Sequence, residues 1–313
     1  MDNSQLTKAR ALLRLRRLRF TYRGNFTFLC ADVARLALDG SDTLKWAHRH
    51  LRFAVGNLWN ILTVCDRLEW MNRQCRRDQR AASVWTYYAE ADIEYWHIQM
   101  RTLLDHLAKV ISRLAHRSEQ VPISFSRLYQ RVGNPKSEAE ARKFADKLGA
   151  DWLAVMRSAT WYPTLRNVRE ELVHWGGQTM VFLPPSDGIL FQVHKGVSFK
   201  SAIDVEPLML NHNVVFFDRY AAFFLSSALL FLEDFAVTAY ARLGLEPYLN
   251  GMMRHFGFGT VMRWIDSTIK AALQEGRGST GCAKPARSRG AASRVVTRDP
   301  PGGHANLIVG PDD

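Results

Sequence analysis

The fold is decided by two long stretches, of which the first, residues 41–74, reads SDTLKWAHRHLRFAVGNLWNILTVCDRLEWMNRQ. Its leucine and valine residues recur at intervals of three, four or seven, which is the spacing of one face of an α-helix. Residues 82–115 read ASVWTYYAEADIEYWHIQMRTLLDHLAKVISRLA and repeat that spacing after a short break near Asp78. Ser41 or Asp42 is placed to cap the first helix. Two long helices joined by a short turn are typical of an antiparallel pair, and we expect their tryptophan and phenylalanine stripes to face the core.

Further helices follow outward from this pair, interrupted by one small β-hairpin. Ser137 with Glu140 resembles a capping box that starts a helix, and a Pro-Pro-Ser-Asp-Gly turn at 184–188 separates two short strand-like runs. Asn211 or Asn213 is placed to cap a later helix. The predicted elements are a short helical turn over 125–131, helices over 137–156, 163–175, 211–243 and 260–274, and strands over 178–183 and 189–193. The predicted fold class is therefore mainly α, an antiparallel helical bundle with a small β-hairpin insertion near 178–193.

Much of the formal net charge of +12 lies at the two ends of the chain. Residues 1–23 hold seven basic side chains against one acidic side chain, and residues 276–313 hold six against three. We therefore divide the chain into a basic N-terminal arm (1–40), a helical domain (41–275) and a disordered basic tail (276–313). Such ends suit an anionic partner such as RNA, or a membrane surface. The arginine-rich start also resembles a mitochondrial transit peptide, an alternative that the composition leaves open.

Composition disfavours several classes of protein. The four cysteines lie far apart with no Cys-x-x-Cys pair, so a disulfide scaffold and a structural zinc site are not expected, and a reducing, cytoplasmic compartment is favoured. The longest strongly apolar run, residues 220–232, is shorter than the ~20 residues that cross a membrane. We expect it to form a buried core helix, with no membrane span. The sequence contains no glycine-rich phosphate loop and no metal-binding motif, and we predict neither a cofactor nor a metal.

The most informative motif lies in residues 165–177, which read LRNVREELVHWGG. Here Arg169 precedes His174 by five positions, close to a helix end that is marked by two glycines. An arginine, four residues and a histidine, followed by glycine, resemble the signature of the HEPN family of helical domains, many of which are metal-independent endoribonucleases. The earlier helix around residues 95–107 also looks like the core helix of such domains. The resemblance extends over residues 41–245, but only the motif segment is specific.

The resemblance implies a defined chemistry. Arg169 and His174 would be the catalytic residues, with the histidine transferring protons and the arginine holding phosphoryl oxygens. Arg166 and Asn167 would bind the RNA, which would be cut by its own 2′-OH in a homodimer, without a metal or a cofactor. Such a protein would be a toxin or defence effector, with an antitoxin or regulatory protein as a further partner.

Other interpretations of the motif remain open. Five helical steps turn Arg169 and His174 about 140° apart around the axis, so one ligand reaches both only at the helix end or with help from a second subunit. A charge pair at a helix C-terminus explains the same residues, with Glu170 or Glu171 as the partner of the arginine. A catalytically inactive HEPN-like module that binds RNA or protein is a further alternative, and a helical protein that binds a small molecule is another.

The bare spacing is not specific, because about one such pair is expected by chance in a chain this rich in arginine. A second pair with the same spacing, Arg101 and His106, lies in the middle of the second long helix. We interpret it as structural, with Arg101, Asp105 or His106 making a buried polar contact.

Overall fold

The computed structural model describes residues 25–38, 40–78, 82–115, 121–133, 137–174, 179–183, 188–193, 213–246, 263–268 and 270–271. Over these residues the fold is mainly helical with a small antiparallel sheet, which confirms the predicted fold class. The predicted basic tail, 276–313, and residues 184–187 of the hairpin turn lie outside the described residues.

The first described helix, α1 (Asn25–Leu38), belongs to the helical core. It lies against α2 (Asp42–Arg77) and α8 (Phe217–Arg242). Its apolar positions Phe26, Leu29 and Val33 are buried, and Asn25 donates from its backbone and side-chain nitrogens to the buried Glu233 carboxylate at 3.2 and 2.6 Å. The core therefore includes residues 25–38, which the charge pattern assigns to the basic arm, because the apolar face of this helix needs cover.

The two long helices form the predicted antiparallel pair. The second of them, α3 (Ala82–Leu114), follows α2 after a short connection. Polar contacts join the two helices along their length, and they link His50 with His106, Asn60 with Gln99, and Arg67 with Asp92. Residue numbers rise along α2 as they fall along α3, so the helices run in opposite directions.

The apolar pattern predicts that the tryptophans of this helix pair face the core, but not all of them do. Trp96 is fully buried, whereas Trp59 and Trp70 are 47% and 45% exposed. Tyr88 and Tyr95 on α3 are exposed as well. The expectation fails because α2 and α3 already bury a full stripe of smaller aliphatic side chains, and these aromatic residues fall on the outward side of the two helices.

Three shorter helices close one side of the bundle, namely α4 (Phe125–Gly133), α5 (Glu138–Leu148) and α6 (Ala150–Ser158). The predicted cap is confirmed, since the backbone nitrogen of Glu140 donates to Ser137 Oγ at 3.1 Å. The predicted single helix over 137–156 is instead split at Gly149. That glycine has φ +98°, a backbone conformation that L side chains rarely adopt, and α6 starts immediately after it.

The next helix, α7 (Tyr162–His174), leads into the hairpin formed by β1 (Thr179–Phe182) and β2 (Leu190–Val193). These strands pair antiparallel, as predicted, with Thr179 opposite Val193. A third strand, β3 (Val215–Phe216), pairs with the other edge of β2. The helix predicted from Asn211 or Asn213 begins later, at Phe217, because Val215 and Phe216 extend the sheet; Asn213 lies before the helix, and Asn211 lies outside the described residues.

The core helix α8 contains the apolar run predicted to be buried. It is long and apolar enough to cross a membrane, but 78% of its most apolar window is buried inside the protein. Tyr220 at its start donates to His97 Nε2 on α3 at 2.9 Å, while His97 Nδ1 donates to the Ile93 carbonyl at 2.7 Å. Burial lowers the pKa of His97 to about 4, so this histidine is a neutral structural group. Residues 263–268 are helical, within the helix predicted over 260–274.

Candidate active site

The motif helix α7 is held in place by one apolar face. Leu165, Val168 and Leu172 are buried at helical spacing against the core. Asn167 lies on the exposed side, and Arg169 is partly buried between the two faces. The arginine of the motif therefore lies on a helix whose position is fixed by burial.

The helix continues without interruption from Arg169 to His174. The angle of about 140° between them, which follows from ideal helix geometry, therefore applies to the folded chain. The side chain of His174 lies outside the described part of the chain. The structure thus fixes the backbone of the pair but does not show their side chains meeting.

Arg166 makes an ion pair with Glu170, one helical turn away. Its Nε donates to Oε1 at 2.6 Å and its Nη2 donates to Oε2 at 3.3 Å, and both side chains are partly exposed. The carboxylate raises the pKa of the Arg166 guanidinium. A phosphate at Arg166 would compete with Glu170 for the guanidinium, and Asn167 is the more exposed of the two predicted RNA-binding residues.

A second polar network lies beside the start of α7. Arg101 donates from Nε to Asp105 Oδ2 at 2.9 Å and from Nη1 to the Tyr162 hydroxyl. The other oxygen of Asp105 accepts from the backbone nitrogen of Phe125 at 2.9 Å and so caps α4. This network joins α3, α4 and α7, and the structural role predicted for Arg101 and Asp105 is confirmed.

Tyr162, at the start of α7, connects this network to the motif helix. Burial raises the pKa of its hydroxyl, while the positive charge of Arg101 and, more weakly, of Arg166 acts in the opposite direction. The hydroxyl is therefore neutral at physiological pH. A tyrosine one position before a helix-opening proline carries no sequence signal of such a role.

His106, which follows Arg101 by five positions, faces α2 and not the network of Arg101, Asp105 and Tyr162. Its Nδ1 lies 3.0 Å from the Nδ1 of His50, with Phe53 stacked against the His106 ring. Burial lowers the pKa of both imidazoles, that of His50 to about 4, and the positive charge of Lys109 adds to the effect. Both rings are neutral at physiological pH, so one donates to the other.

Among the described residues, no three histidine, cysteine, aspartate or glutamate side chains are grouped so as to hold a metal ion. Comparison of the chain with protein-family models, with curated proteins and with solved structures finds no match.

Proposed function

We propose that the chain is a HEPN-like endoribonuclease that cleaves RNA without a divalent metal. The oxygen of a ribose 2′-OH attacks the adjacent phosphorus, the bond from phosphorus to the 5′-oxygen breaks, and the products are a 2′,3′-cyclic phosphate and a 5′-OH. The observation that supports this most is an Arg-x4-His motif in the last turns of one uninterrupted helix whose opposite face is buried.

Each motif residue has a chemical task in this reaction. His174 accepts the proton of the 2′-OH or returns one to the 5′-oxygen, because an imidazole titrates near neutral pH. Arg169 keeps its charge and donates two parallel hydrogen bonds to the phosphoryl oxygens, on which negative charge grows. Asn167, exposed on the same helix, binds a flanking phosphate or sugar.

The active unit in this proposal is a homodimer. Two motif helices that face each other compensate for the angle of about 140° between Arg169 and His174, and they supply one histidine for each of the two proton transfers. Light scattering of the purified chain should give about twice 35.8 kDa. A monomer that still cuts RNA would contradict this part of the proposal.

The cleavage mechanism is tested with a labelled RNA in excess EDTA. We expect cleavage to persist, with a 2′,3′-cyclic phosphate identified by mass at the new end. A DNA strand of the same sequence lacks the 2′-OH nucleophile and should stay intact. Loss of cleavage in EDTA, or equal cutting of DNA, would reject the mechanism. A role as a toxin or defence effector, with an antitoxin as partner, rests on the family resemblance alone.

A catalytically inactive module that binds RNA or protein is the second candidate, and two observations favour it. The Glu170 carboxylate occupies Arg166 and repels a phosphate at that position. The outward faces of α2 and α3 expose Trp59, Trp70 and Tyr88, and such aromatic side chains are common at protein interfaces. Both observations favour the protein-binding form of this candidate, for which we expect neither RNA cleavage nor RNA binding. Salt-sensitive RNA binding without any cleavage product would select the RNA-binding form.

A further inference from the structure

A second apolar stripe runs along the outer side of α3. Its large members recur at the spacing of one helix face and are 39–70% exposed, and they are Val84, Tyr87, Tyr88, Tyr95 and Ile98. The opposite face of α3 is already buried in the core through Ile93, Trp96 and Met100. An exposed apolar stripe on a helix that is already packed on its other face is typical of a surface that contacts another molecule.

The tyrosines at the start of the stripe are held by other rings. The ring centroids of Tyr87 and Tyr88 lie 5.9 Å apart, and that of Tyr88 lies 6.3 Å from that of Trp85. Trp85 in turn meets Trp70 of α2 edge-on at 5.3 Å. Because these rings already contact each other, less side-chain freedom is lost when a partner binds.

The charges around the stripe disfavour an anionic partner. Residues 84–100 contain three acidic side chains, Glu90, Asp92 and Glu94, and no lysine or arginine. Asp92 is buried and accepts a hydrogen bond from Arg67 of α2, whereas Glu90 and Glu94 are partly exposed beside the stripe. These carboxylates would repel RNA or an anionic membrane surface. The stripe therefore suits a protein partner.

The stripe is symmetric about one small residue, Ala91, which is exposed at its centre. Val84 lies seven positions before Ala91, and Ile98 lies seven positions after it. Seven positions are close to two helical turns, so both side chains lie within about 20° of Ala91 around the helix axis. Two copies of α3 that cross at Ala91 in opposite directions therefore place Val84 of one copy against Ile98 of the other. Only methyl groups lie at the crossing point, which lets the two helices approach closely.

The same crossing also pairs the larger side chains. Tyr88 and Tyr95 lie about 60° and 40° from Ala91 on one side of the stripe, and Tyr87 and Glu94 lie about 40° and 60° from it on the other. In an antiparallel crossing, Tyr88 of one copy therefore meets Tyr95 of the other, and the Tyr87 hydroxyl is placed to donate to the Glu94 carboxylate. Each contact occurs twice, as a two-fold axis requires.

Charge favours the antiparallel crossing over a parallel one. The last turn of α2, which lies beside the start of α3, contains Arg76 and Arg77. Parallel α3 helices would bring these basic ends of the two copies to the same end of the dimer, whereas antiparallel helices place them at opposite ends. The two helix dipoles also point in opposite directions in the antiparallel pair.

We propose that the chain forms a two-fold dimer through this outer stripe of α3, with the two helices antiparallel and crossing at Ala91. The proposal rests on the homodimer of the proposed function and names the surface through which its two copies associate. Arg101, which bonds to Tyr162 of α7, lies about 80° around α3 from Ala91. Gln99, which bonds to Asn60 of α2, lies about 80° from Ala91 on the other side. The motif helix α7 therefore flanks the stripe, opposite α2.

Cysteine cross-linking of the full chain tests the crossing point, in a background in which Cys282 is replaced by serine. Cys65 and Cys75 are buried and Cys30 is half-buried, so the background chain should give no cross-linked dimer. After oxidation with copper phenanthroline, Ala91→Cys should form a disulfide-linked dimer, because the two copies of this residue meet at the axis. Absence of this dimer would overturn the proposed crossing point.

The direction of the helices is tested with cysteines at the two ends of the stripe. Val84→Cys and Ile98→Cys should cross-link to each other when the two variants are co-expressed, and neither should cross-link to itself when expressed alone. A Val84→Cys chain that cross-links to itself shows parallel helices and would overturn the antiparallel arrangement.

Light scattering tests the surface as a whole. The wild type should have a mass of about twice 35.8 kDa, and Ala91→Glu should raise the dissociation constant of the dimer about 100-fold or more, because it places two like charges at the axis. Ala139→Glu is the matched control, since Ala139 is an exposed alanine on α5, and it should stay dimeric. Circular dichroism should show both variants folded.

The possible failures are distinguishable. A monomeric wild type would overturn both this surface and the homodimer of the proposed function. A dimer that persists in Ala91→Glu, or that Ala139→Glu weakens equally, would overturn the α3 surface alone. Neither cross-linking nor light scattering depends on RNA cleavage.

Discussion

The chain contains two arginine–histidine pairs with the same spacing, one in the middle of α3 and one at the end of α7. In the first, Arg101 donates to Asp105 and Tyr162, and His106 contacts His50 on the neighbouring helix. The two side chains of that pair serve different contacts. In the second, Arg169 and His174 lie in the last turns of a helix that precedes the hairpin.

The same spacing lies in different surroundings in the two pairs. A pair in mid-helix meets neighbours on several sides, and its polar groups become bonds between helices. The second pair lies at the C-terminal end of the described helix α7, where the two glycines of the motif predict that the helix stops. We therefore infer that Arg101 and His106 stabilise the bundle and that Arg169 and His174 act on RNA.

Exchange of each arginine for lysine separates the two pairs by activity. Arg169→Lys should lower kcat about 100-fold, a loss typical when one donor to a developing oxyanion is removed, because a point charge cannot replace two parallel hydrogen bonds. Arg101→Lys should leave kcat of the folded protein unchanged. Steady-state cleavage of a labelled RNA measures both, and equal losses would place the two pairs in one site.

Removal of the Asp105 carboxylate, which binds Arg101, should lower the stability of the fold. Asp105→Ala breaks the bonds from Arg101 and from the Phe125 backbone, and we expect the free energy of unfolding to fall by about 2 kcal/mol. Glu170→Ala is the matched control on α7, where loss of an i,i+4 ion pair should cost only about 0.3–0.5 kcal/mol. Urea denaturation gives both values. If Glu170→Ala lowered the free energy of unfolding more than Asp105→Ala does, the structural role would not be confined to the network around Arg101.

The histidine contact of the first pair should make stability depend on pH. The pKa of His50 is lowered to about 4 and that of His106 is lowered as well, whereas an unfolded histidine titrates near 6.5. Between about pH 6.5 and 4 the unfolded chain binds more protons, so the free energy of unfolding should fall as the pH falls through this window.

Buried His97 contributes with the same sign. The double variant His50→Gln, His106→Gln should therefore show a shallower slope rather than none. Thermal unfolding measured across the window tests this, and parallel curves for wild type and variant would show that the contact carries no pH dependence.

Long helices with a regular apolar spacing could be predicted from the sequence. Very short elements and features that depend on long-range contacts could not. The limits of α2 and α3 match the apolar spacing, and the cap at Ser137 follows from its side chain. The two residues of β3 are too few to show a period, and the break at Gly149 depends on a backbone angle that a helical pattern does not reveal. The charge pattern assigned residues 25–38 to the basic arm. They belong to the core, where the carboxylate of Glu233, far along the chain, accepts hydrogen bonds from Asn25.

The candidate site was predictable only as a pattern. The spacing of Arg169 and His174 is visible in the sequence, but the Arg166–Glu170 pair and the link through Tyr162 depend on which helices meet. The pair Arg101 and His106 was separated from the pair Arg169 and His174 by its position in mid-helix, and the contact between His50 and His106 became visible only once α2 and α3 were paired.

We propose that the pair on α7 cuts RNA and that the pair on α3 does not. Cleavage of a labelled RNA in EDTA by His174→Ala and by His106→Ala, each confirmed to be folded by circular dichroism, tests it most directly. We expect His174→Ala to reduce cleavage to background and His106→Ala to cut at the wild-type sites. Cleavage that survives in His174→Ala, or is lost in folded His106→Ala, would contradict it.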